Sequence, residues 1–457
     1  MARAPSAAGR SPRSAVTNRR RPVVTGQPVA SRPTNEAADV HVAWSGAQVY
    51  ASRAIAQAAS LLTTVLLARA LDPTAVGLYS FAVILAMLLA DVSGAGLDLA
   101  AVRFAARDAS TDPARARGVL VLAGLMKGGC ALALSLVVLA LAHPLAGAWL
   151  GRPELVGPIR FGAVAGVGIA MTEYAFSALQ ARERFGHVVL VNVVVAVSRV
   201  APVAALMALD ALSLETALLA VAAAAYVGCT TGTAVAWRVW RGSFGWGSGI
   251  ARELLGVARW LAVAPVITAL WNSVDVVTLT QAAGPAATGI YTSARMLALP
   301  LLLAGSATGA VLLPRWSRMA AREPIGPALR QVGLRVGGLA ALLAAASAAA
   351  APVLVPLVYG ARYVDVVPVF QILAIAYCVQ IGAWPALSAL LVLDQAGFVV
   401  KSSFAGLCLC AVGYILMVPS YEGVGAALVL VVGSAFIVAS AWWRVRAACR
   451  EAGGGKT

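Results

Sequence analysis

Asp275 and Arg295 are opposite charges twenty residues apart, each embedded in an apolar run. Asp275 lies about seven residues before the end of one run and Arg295 about six after the start of the next. At 1.5 Å rise per residue, both sit roughly 10 Å below the same surface. A short turn joins the runs, so the geometry permits an ion pair. Two kinds of chemistry fit it. The pair can neutralise two costly intramembrane charges and clip a hairpin. Alternatively, both groups face a cavity, where arginine clamps phosphate oxygens bidentately and the carboxylate tunes or gates that charge. Trp271, four residues before Asp275, shares its helical face and either lines the same cavity or packs on a neighbour.

Other charges interrupt apolar sequence as well. Arg199 falls near the centre of its run, Asp91 lies at mid-depth, and Arg53 stands near one end, where it can also snorkel to the interface. A charge at the centre of a spanning helix costs roughly 2.5 to 3.5 kcal/mol, so each is expected to meet a partner or a cavity. Arg199, Arg295 and Trp271 are therefore candidate cavity residues, and Asp91 and Asp275 are the carboxylates to be explained beside them. Lys127 and Glu173 can form a structural pair, while Asp98 reads as a helix-end partner of Arg103 and Arg107.

The elements that must position these groups follow from composition. Sixty per cent of the residues are hydrophobic and 12 per cent charged, against about a quarter charged in soluble domains. Since roughly 20 apolar residues cross a bilayer core, spans can be counted directly. Twelve are expected, near 48–68, 78–100, 119–142, 156–180, 187–208, 211–236, 258–281, 289–314, 333–358, 366–392, 399–418 and 424–443. Of the 35 Lys and Arg residues, 27 fall in the N-tail, the C-tail and the loops on their side, and only Arg69, Arg152, Arg160 and Arg362 at the opposite ends. The positive-inside bias then places both termini in the cytoplasm, in a multi-pass protein of the cytoplasmic membrane.

One turn is duplicated. Pro73, Gly77, Tyr79, Ala82 and Leu85 recur as Pro285, Gly289, Tyr291, Ala294 and Leu297 at a spacing of 212, and nine of twenty positions from 70 to 89 match their counterparts. A period near half the chain implies two homologous lobes. At the same spacing Asp275 corresponds to Thr63 and Arg295 to Val83, so the turn is shared and the charges are not. The expected organisation is a disordered basic tail at 1–43, an N-terminal lobe at 44–236, a linker at 237–257, a C-terminal lobe at 258–443 and a tail at 444–457.

Several function classes lose support. The net charge of +16 resides mostly in the positive-inside loops and tails, which argues against nucleic acid as a partner. The six cysteines suggest no disulfide framework, and Cys408 and Cys410 point about 200° apart on a helix, which prevents joint metal ligation. His41, His143 and His187 are scattered, the outer loops are short, and no phosphate loop, nucleophile triad or paired-carboxylate motif occurs. No cofactor, no metal, no catalytic residue and no enzymatic activity are expected.

The residues also resemble a family. Leu66 to Pro73 through Gly77-Leu78-Tyr79-Ser80, Ala178 to Phe185, Asp275 with Gly289-Ile290-Tyr291, Leu313-Pro314-Arg315 and Tyr421 to Ala427 are similar to the polysaccharide or O-antigen flippase branch of the MOP exporter superfamily. The resemblance implies an all-α polytopic fold of about twelve transmembrane helices, in two pseudo-symmetric six-helix lobes forming a V around a central cavity. It implies alternating-access movement of a polyprenyl-pyrophosphate-linked saccharide from the inner to the outer leaflet, with Arg53, Arg199 and Arg295, beside Trp271, as substrate-binding residues of a cationic cavity and Asp91 and Asp275 as candidates for gating or ion coupling. A lipid-linked anionic saccharide and membrane lipids are then the partners, with a polysaccharide polymerase and glycosyltransferases acting around the same step. Two relatives compete with this reading. A multidrug antiporter of the same superfamily is expected to use acidic cavity residues, and a peptidoglycan-precursor flippase has a fourteen-helix arrangement.

Overall fold

The computed structural model describes residues 36–243, 245, 247, 249–320 and 325–454. Of the basic tail expected at 1–43, residues 1–35 lie outside them, and 36–43 begin the first helix.

Every described element is helical. In chain order the spans are Glu36–Ala70, Pro73–Ser93, Pro113–Ala140, Val156–Gln180, Phe185–Ala208, Leu214–Val239, Val263–Ala282, Pro285–Ala320 and Gly326–Tyr359, then a tenth in two pieces, Val366–Ile381 and Trp384–Val392. Two shorter amphipathic helices, Leu97–Asp108 and Ile250–Leu261, lie between spans. Both repeated turns start a helix with proline, Pro73 and Pro285, whose missing N–H is harmless at that position.

Among the described residues, eleven helices are long and apolar enough to cross a bilayer, and the last of these, Ala396–Arg450, contains two crossings. Its parent helix, Ala396–Gly454, has 59 residues, which would extend about 88 Å against a hydrocarbon core of about 30 Å. It breaks at Glu422, whose backbone is left-handed (φ 48°, ψ −128°). Beyond the break the chain returns along itself: Gly425 abuts the Met417 carbonyl, Gly413 abuts Val429, and Gly406 abuts Ile437. These pairs centre on one tip near Tyr421, so an eleventh and a twelfth span form an antiparallel hairpin, as the sequence predicts.

Packing divides the spans into two sets. The fourth packs on the second, third and sixth, and the tenth correspondingly on the eighth, ninth and last. The second span bridges the sets by packing on the seventh and eighth. At the end of the bundle that carries the turns, one apolar core containing Leu67, Tyr79, Leu155, Tyr291, Tyr359 and Phe370 spans both sets. At the other end each set has its own core, one around Leu120, Tyr174 and Leu254 and one around Trp316, Leu329 and Leu390. The halves therefore fuse at the turn-bearing end and separate toward the linker end.

The ninth span shows how an internal proline is accommodated. Pro352 has no N–H to give to the carbonyl of Ala348 four residues earlier. The Gln371 side chain of the tenth span donates to that carbonyl at 2.9 Å. A backbone acceptor orphaned inside hydrocarbon is thus satisfied from a neighbouring helix.

Candidate functional site

The turn-bearing end is closed by a reciprocal crossing. A Cβ on Gly77 would overlap the Pro285 carbonyl oxygen, and a Cβ on Gly289 would overlap that of Pro73. Only glycine permits both approaches. One turn deeper, Thr292 Oγ1 donates to Ser80 Oγ at 3.0 Å. These residues are counterparts at the spacing of 212, and a residue that touches its own counterpart lies on the pseudo-twofold axis. At the rim, Arg69 of the first half donates from Nε to the Val358 carbonyl at 2.9 Å and from Nη2 to the Leu357 carbonyl at 2.7 Å. These carbonyls are in the last turn of the ninth span, where no helical donor remains for them.

Beneath this closure lies a cavity of about 260 Å³ between the halves, lined by the first, second, fifth, seventh and eighth spans. Ser60, Tyr79, Asp91, Arg199, Asn272 and Arg295 contribute its polar surface. A second cavity of about 330 Å³ lies within the second half and includes Trp271, Asp275, Tyr377, Gln380 and Trp384. Arg295 and Asn272 line both.

Asp275 and Arg295 pair: Nη1 donates to Oδ2 at 2.9 Å. The Tyr291 hydroxyl donates to the same oxygen at 2.7 Å. The Val276 N–H, whose helical acceptor is the Asn272 carbonyl, donates to Asp275 Oδ1 at 2.8 Å. The Asn272 carbonyl in turn receives Nη1 and Nη2 of Arg295, each at 3.1 Å. The carboxylate is only 3 % exposed and meets three donors. Such partnering offsets the desolvation of a buried charge.

Arg199 donates Nη1 to Ser60 Oγ at 3.0 Å. Its Nε is buried without a hydrogen-bond partner in the described structure, so the guanidinium has spare donor capacity beside the cavity it lines. Asp91 lines the same cavity, half-buried, and meets no ion-pair partner among the described residues. Arg53 is exposed and does not line it. Its helix face does: Gln57, Ser60 and Thr64 follow Arg53 at steps of four, three and four and all border the cavity, placing Arg53 one turn nearer the linker end. Trp271 fits both expectations, lining the second cavity while its ring lies 3.3 Å from the Cβ positions of Gly406 and Gly433.

The first half holds a separate charge cluster. Lys127 is fully buried, 2.7 Å from Asp98 Oδ2 and 3.6 Å from Glu173 Oε2. The expected pairing of Lys127 with Glu173 is present. The reading of Asp98 as partner of Arg103 and Arg107 is not: the second span ends at Ser93, a new helix starts at Leu97, and the turn between them carries Asp98 to Lys127. Arg107 pairs with its neighbour Asp108 and, lying outside the spans, holds that carboxyl below its ordinary value. Sequence reasoning missed the Asn272 carbonyl and the Tyr291 hydroxyl. Tyr291 was visible as a repeated residue; its bond to Asp275 had no signal.

Comparison with known proteins agrees with this architecture. The family model described as "Polysaccharide biosynthesis protein" matches residues 45–320. No curated protein matches. Among solved structures, the lipid II flippase MurJ in an inward closed conformation superposes with a TM-score of 0.71 at 12 % identity, covering 86 % of each chain. An inward-facing multidrug resistance MATE family transporter of the MOP superfamily gives 0.66 at 13 % identity, covering 87 % of this chain and 96 % of its own. The MATE transporter VcmN of Vibrio cholerae gives 0.64 at 18 % identity, covering 91 % and 98 %. At these identities the likeness establishes the fold alone, an all-helical one.

Proposed function

Because this chain belongs to the polysaccharide biosynthesis protein family, whose model covers residues 45–320, we propose that it is a flippase for a polyprenyl-pyrophosphate-linked saccharide, carried from the inner to the outer leaflet of the cytoplasmic membrane. The observation that carries this reading is the pair of guanidinium groups, Arg199 and Arg295, lining one cavity between the halves. A pyrophosphate is the ligand such donors suit, because arginine holds phosphate oxygens in a planar, bidentate fork. The unpartnered Arg199 Nε supplies a donor without breaking an existing bond. Arg53, one turn below, receives the head group first, and Trp271 supports the Asp275 side of the site.

With both termini in the cytoplasm, the separated ends of the halves face that compartment and the glycine crossing seals the outer side. The lobes at 44–236 and 258–443 then rock about the linker at 237–257. Glycosyltransferases supply the substrate on one leaflet and a polymerase consumes it on the other. Coupling to an ion gradient falls to Asp91 in this scheme, since Asp275 already meets an internal cation at 2.9 Å. A cation-coupled multidrug antiporter would need an acidic cavity, and with Asp275 matched by Arg295, Arg199 against Asp91 leaves this one without a net negative charge.

The test uses the residues of the first half. Asp275→Thr with Arg295→Val removes both charges together and leaves no unpaired ion. In a strain lacking its own flippase, this variant should reach the membrane at normal abundance yet lower export at least about tenfold, the loss of one charge-assisted contact. Lipid-linked saccharide should accumulate on the inner leaflet. Full complementation by the double variant would overturn the site.

A further inference from the structure

A larger cavity lies away from the site described above. A trough of about 750 Å³ runs between the ninth, tenth and last spans, lined by Gly333, Gly337, Ala340 and Ala344 on one wall and by Cys378 and Gly382 on another. Two arginines, Arg330 and Arg446, also line it. Arg330 starts the ninth span and Arg446 ends the last, so both lie at the linker-bearing end. From Arg330 to Ala344 the wall rises about 21 Å at 1.5 Å per residue, most of the depth of a hydrocarbon core of about 30 Å. Leu334 on its edge is 69 % exposed, as expected of a side chain facing lipid. The floor is ordered protein: the Trp442 ring fills the space above Gly333, and its indole N–H donates to the Gly382 carbonyl at 3.0 Å.

We infer that this trough binds an anionic membrane phospholipid, its headgroup phosphate between Arg330 and Arg446 and one acyl chain along the glycine and alanine wall. The charge balance selects this occupant. Both arginines are exposed, neither meets a carboxylate among the described residues, and the lining holds no acidic side chain. The rest of the surface is apolar for about four helical turns. A cationic end on an apolar slot matches a lipid with a phosphate head, whereas a helix or a second copy of the chain would have to bring its own acid to this depth. The trough shares no lining residue with the two cavities around Arg295. It is separated from them by the tenth span, so its occupant is a resident lipid and not cargo. The equivalent slot in the first half, between the third, fourth and sixth spans, makes the contrast. Its one arginine, Arg117, is committed to the carbonyls of Pro113 and Arg241 at 2.9 and 2.7 Å.

Full-length protein in nanodiscs containing phosphatidylglycerol and phosphatidylcholine, released and weighed by native mass spectrometry, tests the assignment. The wild type should retain one phosphatidylglycerol in preference to phosphatidylcholine. Arg330→Gln with Arg446→Gln should weaken that retention about thirtyfold, the factor given by roughly 1 kcal/mol per basic residue near a bilayer surface. Gly337→Leu keeps both charges and fills the slot. A Cβ at Gly337 meets nothing within 4 Å, so that variant should fold normally and still lose the lipid. Equal retention of the two lipids, retention unchanged in both variants, or displacement of phosphatidylglycerol by one equivalent of undecaprenyl pyrophosphate would each overturn the proposal.

Discussion

The two hairpins built on the repeated turn share a backbone and differ in charge. In both, proline opens the helix and glycine follows four residues later, and each glycine fits only against the other's proline carbonyl. Ser80 meets Thr292 across the axis. At the positions where the second hairpin holds Asp275 and Arg295, the first holds Thr63 and Val83, and Thr63 donates to the Ala59 carbonyl of its own helix. Duplicated features therefore make the closure between the halves, while the unduplicated pair lies where the central and C-terminal cavities meet. Symmetry marks the joint, and its loss marks the candidate site.

This contrast can be broken in order of expected effect. Arg295→Ala alone strands a carboxylate that is 3 % exposed. It should cost about 3 to 5 kcal/mol, the penalty for breaking a buried pair from one side. Thermal unfolding in detergent should show that loss, together with a reduced folded yield; a variant as stable as wild type would mean that the pair is not what holds the hairpin. Next, Gly77→Ala and Gly289→Ala force a methyl against a carbonyl oxygen at equivalent points. Each should destabilise by about 1 to 3 kcal/mol, and by matching amounts; a large inequality would show that the halves do not share the joint evenly. The smallest effect belongs to the hydroxyl pair. Ser80→Ala and Thr292→Val should each cost about 0.5 to 1.5 kcal/mol, and the double variant little more than either alone. Additive losses in that cycle would remove the axial bond from the account.

Much of this was legible in the sequence, for physical reasons that differ by feature. The number and order of spans follow from the thickness of hydrocarbon, which fixes how long an apolar run must be. The Glu422 turn was legible on the same ground, because no single helix of that length fits a bilayer. The joint was visible as a repeat, though the facing of Gly77 with Pro285 is a property of packed backbones. Depth and the short turn permitted the Asp275–Arg295 contact without deciding between it and a cavity-facing arrangement. What escaped was set by tertiary placement. Asp98 lies on the helix beyond a bend, so its sequence neighbours Arg103 and Arg107 are not its spatial ones. The Asn272 carbonyl carries no side-chain signal. The tenth span breaks between Ile381 and Trp384, and Trp384 packs against Gly305 and Gly309, contacts to which hydropathy is blind.

Arg69 has a consequence for how the joint comes apart. Its two bonds to the end of the ninth span lie at an exposed rim. When they separate, water solvates the guanidinium and the two carbonyls at once, so the net loss is only about 0.5 to 1.5 kcal/mol for each bond. In the proposed cycle Arg69 is thus a latch at the rim and not the weld, which is the apolar core that spans both sets beneath it.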